Sequence, residues 1–380
     1  MERLGIFVFY DREGIVDSYI DYLLCDLRKC LSYLIIVVNG KVDILGYDIF
    51  SKYADQIVIR NNKGFDIGAY KEIIEDLHQK KEMRKWDEIV FCNDTFYGPF
   101  IPFTQIFDEM AQRQVDFWGL NYIDNSFLSH IQSYFLVFGK KILEKGDLLA
   151  YMNCIDSDIK DLSEIYAVFE VGIFSYLKNR GYSYGTYIFT ENYSIYEYSH
   201  ICVKRFHFPV LKKRCFSLQY YKEENLGMLL QFLQMEKGYD INLILESVYR
   251  LYGVKVKIAE QFDYNSMINL SEVKKIPSCI DERTLLNFIR AHPKIYIYGT
   301  GIFAKHIWFQ FHKYFKQFKG FIISDNQKVE KRILYNYPVM HYKNAKDGKA
   351  IIVAVGLKNL REIRQGLKDK DEILVLWKEK

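Results

Sequence analysis

Between residues 4 and 120 the chain alternates short apolar runs with segments of helical spacing, and few folds accommodate that order. Residues 4–10 form a continuous apolar run, and 15–31 follow with helical spacing. Residues 34–38, 56–59, 88–92 and 116–120 read as further strands. Between the third and fourth, residues 65–78 place Ile67, Tyr70, Ile74 and Leu77 on one side of a helix. Strands separated by helices predict an α/β fold, a mostly parallel sheet with helices on both faces. Ligands of such sheets bind where loops converge at the carboxyl ends of strands.

The remainder reads less uniformly. Residues 130–138 look like another strand, and 162–180 like a helical stretch interrupted near Gly172 and stopped at Gly181. Residues 217–290 carry helical patterns alone. From Pro293 a second strand-helix alternation begins, with strands expected at 294–298, 320–324, 350–355 and 372–377. The expected organisation is therefore a first α/β domain over 1–216, a helical connector over 217–290, and a small Rossmann-like domain over 291–380. Such a division suits 380 residues, at roughly 100–200 residues per domain. In the last domain Gly299, Gly301 and Ala304 fit a GxGxxA turn after a strand, with Asp325 ending the next strand. Nucleotide binding and a structural or docking role both remain open for it.

Composition narrows the function. The net charge is +4, and the basic residues are scattered rather than gathered in a stripe, which argues against a nucleic-acid partner. Seven cysteines, an odd number without a CxxC pair, argue against a zinc site or disulfide framework and suit a cytoplasmic protein with reduced thiols. No run reaches the about 18 apolar residues of a membrane span, so membrane contact is expected to be peripheral. Aromatic residues make up 17%, and such rings either fill the core or line carbohydrate sites.

Four segments can carry chemistry. Residues 87–99 end a buried strand in Asn93-Asp94 and turn through Gly98-Pro99. A carboxylate there can reach a divalent metal that neutralises a diphosphate leaving group, or it can serve as a turn cap. Residues 60–71 carry Asn62, Gly64, Asp66 and Gly68 where a strand passes into a helix. The helix start favours phosphate, and Asp66 either orients a nucleotide or caps the helix. No GxxxxGK[ST] motif occurs. Glu170 precedes a helical stretch and is a candidate general base or a dipole-complementing residue. His207, Lys212 and Lys213 lie in a basic turn that either closes over a diphosphate or is solvated.

Taken together, these segments resemble the rhamnan synthesis protein F family of bacterial glycosyltransferases. The resemblance lies in Asn62-Lys63-Gly64-Phe65-Asp66-Ile67-Gly68-Ala69-Tyr70 and Asn93-Asp94-Thr95-Phe96-Tyr97-Gly98-Pro99. It continues in Asp116-Phe117-Trp118-Gly119-Leu120 and His130-Ile131-Gln132-Ser133-Tyr134-Phe135. It implies a GT-A-like transferase domain, a nucleoside diphosphate sugar donor with dTDP-rhamnose as candidate, and a lipid-linked oligosaccharide acceptor in cell-surface polysaccharide assembly. It would place the enzyme in the cytoplasm, at the inner face of the plasma membrane. It adds Trp118 and Gln132 to the candidate binding residues. Cys92-Asn93-Asp94 stands where such enzymes carry a DxD metal motif, with Asp94 as ligand of Mg2+ or Mn2+. One carboxylate of that motif is missing, so metal-assisted and metal-independent chemistry both stay open. By the same resemblance Glu170 would deprotonate the acceptor. Two rivals remain: an NAD-linked sugar oxidoreductase or epimerase acting through Gly299, Gly301, Asp325 and a Tyr342/Lys346 pair, and a non-catalytic glycan-assembly scaffold.

Overall fold

The structure, a computed structural model, describes residues 1–156, 159–258, 275–345, 349–368 and 370–378. The chain divides into two compact units. The first comprises Met1–Ile123, Ile131–Lys160 and Tyr176–Ile276, and the second Asp124–His130, Asp161–Ser175 and Pro277–Lys380.

The first ten strands are β1 (Arg3–Phe9), β2 (Tyr33–Asn39), β3 (Gln56–Arg60), β4 (Glu88–Asn93), β5 (Phe96–Tyr97), β6 (Phe117–Ile123), β7 (His130–Ile131), β8 (Phe135–Gly139), β9 (Tyr184–Ile188) and β10 (Leu211–Lys212). The main sheet runs β3-β2-β1-β4-β8-β6-β7, with β9 also beside β6. β1, β2, β3 and β4 are parallel, and β8 runs against both β4 and β6. β1 and β2 are buried almost throughout, as strands covered on both faces must be. The helix Phe65–Gln79 buries the stripe read from its spacing, and Tyr70 stacks on Phe91 of β4 at 4.1 Å. The expected single strand over 130–138 is two strands, β7 and β8, separated at Gln132-Ser133-Tyr134.

The second unit carries β11 (Lys294–Tyr298), β12 (Gln317–Ile323), β13 (Ile333–Leu334), β14 (Tyr337–His341), β15 (Ala350–Val353) and β16 (Glu372–Val375), in the order β13-β14-β12-β11-β15-β16. All neighbours are parallel except β13 and β14. That hairpin turns on Tyr335-Asn336, both at positive φ, which suits a two-residue hairpin turn. Pro338 inside β14 hid the strand from the sequence reading, because proline ordinarily marks a non-strand or edge position.

Two boundaries differ from expectation. Helices Glu223–Lys237 and Asn242–Tyr252 are not a connector. Leu226, Leu229, Leu230, Leu233, Ile244 and Val248 join the core of the first unit. Their apolar faces require burial, and that core supplies it. Conversely, 124–130 and 161–175 belong to the second unit, where Phe127 packs on His306 and on Phe311, each at 5.9 Å between centroids. No helix among the described residues is long and apolar enough to cross a membrane.

Candidate functional site

The chain leaves β1 for β2 on one side and later returns to place β4 on the other. Such a reversal opens a crevice between the carboxyl ends of the two strands, where open α/β sheets bind ligands. β4 ends there in Asn93, followed by Asp94, and each is only 6% exposed. The Asn93 amide nitrogen donates to Asp66 Oδ2 at 2.9 Å. Its oxygen accepts from the Thr95 hydroxyl at 2.6 Å and from the Thr95 N–H at 3.2 Å. Asp66 is not the N-cap. Gly64 occupies that position at φ 71°, while Asp66 sits in the first turn and accepts from Ile67 N at 3.0 Å. The preceding turn is tight. A Cβ on Gly68 would fall 2.2 Å from Lys63 O, and the Arg60 guanidinium donates to that same oxygen at 2.7 Å. A non-glycine residue at 68 would therefore push the turn away from the helix.

Asp94 is anchored on three sides. Its N–H donates to Val8 O at 3.2 Å, its carbonyl accepts the Tyr19 hydroxyl at 2.9 Å, and its carboxylate receives the Lys213 ammonium at 2.7 Å. Lys213 arrives through the short ladder in which β10 pairs with β5, Lys212 opposite Phe96. The Lys213 N–H closes that ladder on Thr95 O at 3.0 Å. Lys212 donates to the Thr95 hydroxyl and lies 3.9 Å over the Tyr134 ring. It is only 5% exposed, so the solvated-turn alternative does not hold for Lys212. The ring face and hydroxyl stabilise an ammonium withdrawn from water.

These contacts bear on the metal. Asp94 is already paired with an ammonium, and Asp66 is bonded to an amide. Among the described residues no cluster of three His, Cys, Asp or Glu side chains is placed to hold an ion. The cations that the described residues supply at the strand end are lysines. Beside it, Asn61, Asn62, Lys63, Gly64 and Phe65 with Ile159 and Lys160 line a pocket of about 340 Å³. The Asn62 side-chain oxygen is buried there without a hydrogen-bond partner among the described residues.

The other candidates lie elsewhere. Trp118 is a core residue, edge-on to Phe107 at 5.1 Å and 3% exposed, because its place on β6 points it inward. Gln132 is buried and accepts the Asn121 amide at 2.8 Å. His207 is exposed and closes the helix Ser199–Phe206 in a left-handed conformation. Glu170 belongs to the second unit. It lies in a π-helical turn, Tyr166–Val171, between two α-helical segments, so it meets no helix N-terminus. Its carboxylate is 3.8 Å from Nε2 of the buried His130, whose Nδ1 donates to Leu128 O.

Gly299, at φ 117°, follows β11 beneath Ala354 O, where a Cβ would approach to 2.6 Å, and Gly301 caps the helix Ile302–Phe311. Asp325 is exposed and accepts Lys343 N at 2.9 Å. The Tyr342 hydroxyl donates to Asp371 and accepts Lys368 N at 2.8 Å, and Lys346 lies outside the described residues. Tyr342 is thus engaged in holding a loop, which counts against the epimerase pair. Thr95, Tyr19, Asp11, Asp17 and Arg250 escaped the sequence reading. Asp11, directly after the first strand, was open to the strand-end rule. Arg250 lies 233 positions from Asp17, and nothing local announces their pairing.

Known proteins resemble the chain in part. It is 30% identical over 151 residues to an uncharacterized protein, y4gN, of Sinorhizobium fredii, covering 39% of each chain. It is 29% identical over 184 residues to the virulence protein VirA of Vibrio anguillarum, covering 47% of this chain and 57% of that one. The chain thus spans less than two thirds of these relatives. A cytidylyltransferase of Leptospira borgpetersenii serovar Hardjo-bovis aligns over 70% of this chain and 100% of its own at TM-score 0.31 and 14% identity. The 4-diphosphocytidyl-2C-methyl-D-erythritol synthase of Anaerococcus prevotii aligns over 44% and 82% at TM-score 0.29 and 13% identity. The profile of one family matches residues 34–319, well over half of the sequence and inclusive of Asp66, Asn93, Asp94, Lys212 and Lys213, and on that match the chain belongs to the rhamnan synthesis protein F family.

Proposed function

We propose that the first unit is a glycosyltransferase that moves a sugar from a nucleoside diphosphate to a glycan acceptor in cell-surface polysaccharide synthesis. The observation that carries this reading is the pairing of Asp94 with Lys213 beside the buried Lys212, at the switch point between β1 and β4. Departure of a nucleoside diphosphate leaves charge on phosphate oxygens, and fixed cations aimed at that charge lower the barrier. In this reading Lys212 and Lys213 receive the diphosphate, and Asp94 orients the Lys213 ammonium. Asp66 and Asn93 fix the nucleotide beside the pocket at Asn62. Family membership supports rhamnose as the first sugar to test, and a lipid-linked acceptor at the inner membrane face. Glu170, in the second unit, has no part in this assignment.

The test is donor hydrolysis and transfer across a panel of nucleoside diphosphate sugars, including dTDP-rhamnose. Lys213→Met is expected to lower turnover about 10²–10³-fold, the usual loss for one group stabilising transition-state charge, and Asp94→Ala, which releases that ammonium from its anchor, to lower it as well. Wild-type turnover in both variants would remove the strand end from the site. Addition of EDTA is expected to leave the rate unchanged. Strict dependence on Mn2+ would return the charge-stabilising role to a metal.

A further inference from the structure

The crevice has a support that its own strands do not supply. The segment from Asp11 to Asp17 leaves the carboxyl end of β1. One oxygen of the Asp11 carboxylate accepts Glu13 N at 2.8 Å, Gly14 N at 2.9 Å and Ile15 N at 3.1 Å, and the other accepts Arg250 at 2.9 Å. Asp17 stands at the N-cap position of the helix Ser18–Arg28, yet its side chain caps nothing. Its carboxylate is instead turned to Arg250, with two bonds of 2.7 Å, and to the Ser247 hydroxyl at 2.7 Å. Aspartate at that position ordinarily accepts from the first helical turn, so the diversion marks a competing demand. Ser247, fully buried, also accepts the Tyr97 hydroxyl at 3.2 Å. Tyr97 meets Tyr19 edge-on at 4.8 Å, and Tyr19 donates to Asp94 O. A continuous chain of contacts therefore runs from Asp11 through Arg250, Asp17, Ser247, Tyr97 and Tyr19 to Asp94.

We propose that Arg250, assisted by Ser247, is a positioning residue for the donor crevice: it ties the loop after β1 to the strand that follows Asp94, and so sets the separation of the crevice walls. The proposal rests on the transferase reading above. Burial pushes the Asp11 carboxyl up, but Ile15 N–H and the Arg250 guanidinium outweigh it and leave the group below its usual range. Without Arg250, two neighbouring carboxylates would face each other. The planar guanidinium grips Asp17 with two parallel bonds while also reaching Asp11, a fork that a lysine ammonium does not present.

The experiment compares the full chain with Arg250→Lys and Ser247→Ala. Hydrogen exchange at Glu13, Gly14 and Ile15 is measured, together with titration of UDP, GDP and dTDP well below each variant's unfolding temperature. Arg250→Lys is expected to speed exchange at those three amides by about tenfold and to weaken the preferred diphosphate by a similar factor. Ser247→Ala is expected to show the same pattern to a lesser degree. Faster exchange with unchanged affinity would reduce Arg250 to a structural role and overturn the proposal, as would wild-type values for both. Failure of the wild-type chain to bind any of the three would overturn the transferase reading itself, and the positioning role with it.

Discussion

Lys213 illustrates how much one side chain's meaning depends on its neighbours. In sequence it is one of three consecutive basic residues, a pattern usually solvated. In the structure its ammonium lies against a carboxylate only 8% exposed, and Lys212 beside it is withdrawn beneath an aromatic ring. Trp118 shows the opposite case. A tryptophan in a family motif invites assignment to a sugar, yet its ring packs against Phe107 and Phe135. Trp118→Ala is therefore expected to cost about 3–5 kcal/mol of stability through lost burial and a residual cavity. Denaturant unfolding measures the loss. Nucleoside diphosphate affinity, taken under conditions where the variant is folded, should not change, and a selective loss of affinity would restore a binding role to the ring.

At the scale of elements, two helices carry consequences beyond their packing. The helix Asn242–Tyr252 was legible as a helix but not as a partner of the first strand's loop. The helix Ile302–Phe311 buries His306 completely, stacked on Phe127. Burial foremost, then the neighbouring His130, lowers the His306 pKa from 6.5 to about 3. Above pH 6.5 the ring is neutral folded and unfolded, so it contributes no pH dependence. As pH falls from 6.5 toward 3 the unfolded chain binds a proton that the folded chain refuses, and stability declines. The denaturation midpoint of the second unit should fall between pH 7 and pH 5, and His306→Phe should flatten that slope. An unchanged slope in the variant would assign the dependence to other groups.

At the scale of the molecule, the units are not successive stretches of chain. Removing everything after residue 290, as the sequence boundary invites, would take away the partners of 124–130 and 161–175. Phe127 and Leu128 would lose their core neighbours, among them Ile307 and Phe311. A fragment comprising residues 1–290 is expected to show rapid proteolysis within those two segments, while the full chain protects them. Equal protection in the two forms would indicate that the segments fold independently of the C-terminal sheet.

The sequence by itself determined the strand-helix alternation at both ends of the chain, the parallel run of the leading strands of the first sheet and of most of the second, and the strand end at Asn93-Asp94. Local periodicity and turn chemistry act over a few residues, and those features are local. Glu88–Asn93 and Lys294–Tyr298 needed nothing more than their apolar runs and the polar or glycine residues that end them. Only the tertiary structure decided that Lys212 and Lys213 meet Thr95 and Asp94 across more than a hundred positions, and that Asp17 turns from its own helix to Arg250. It also decided which unit receives Glu170. Charge pairing depends on distance in space, and residues far apart in the chain acquire that distance only when the sheet closes and its helices pack.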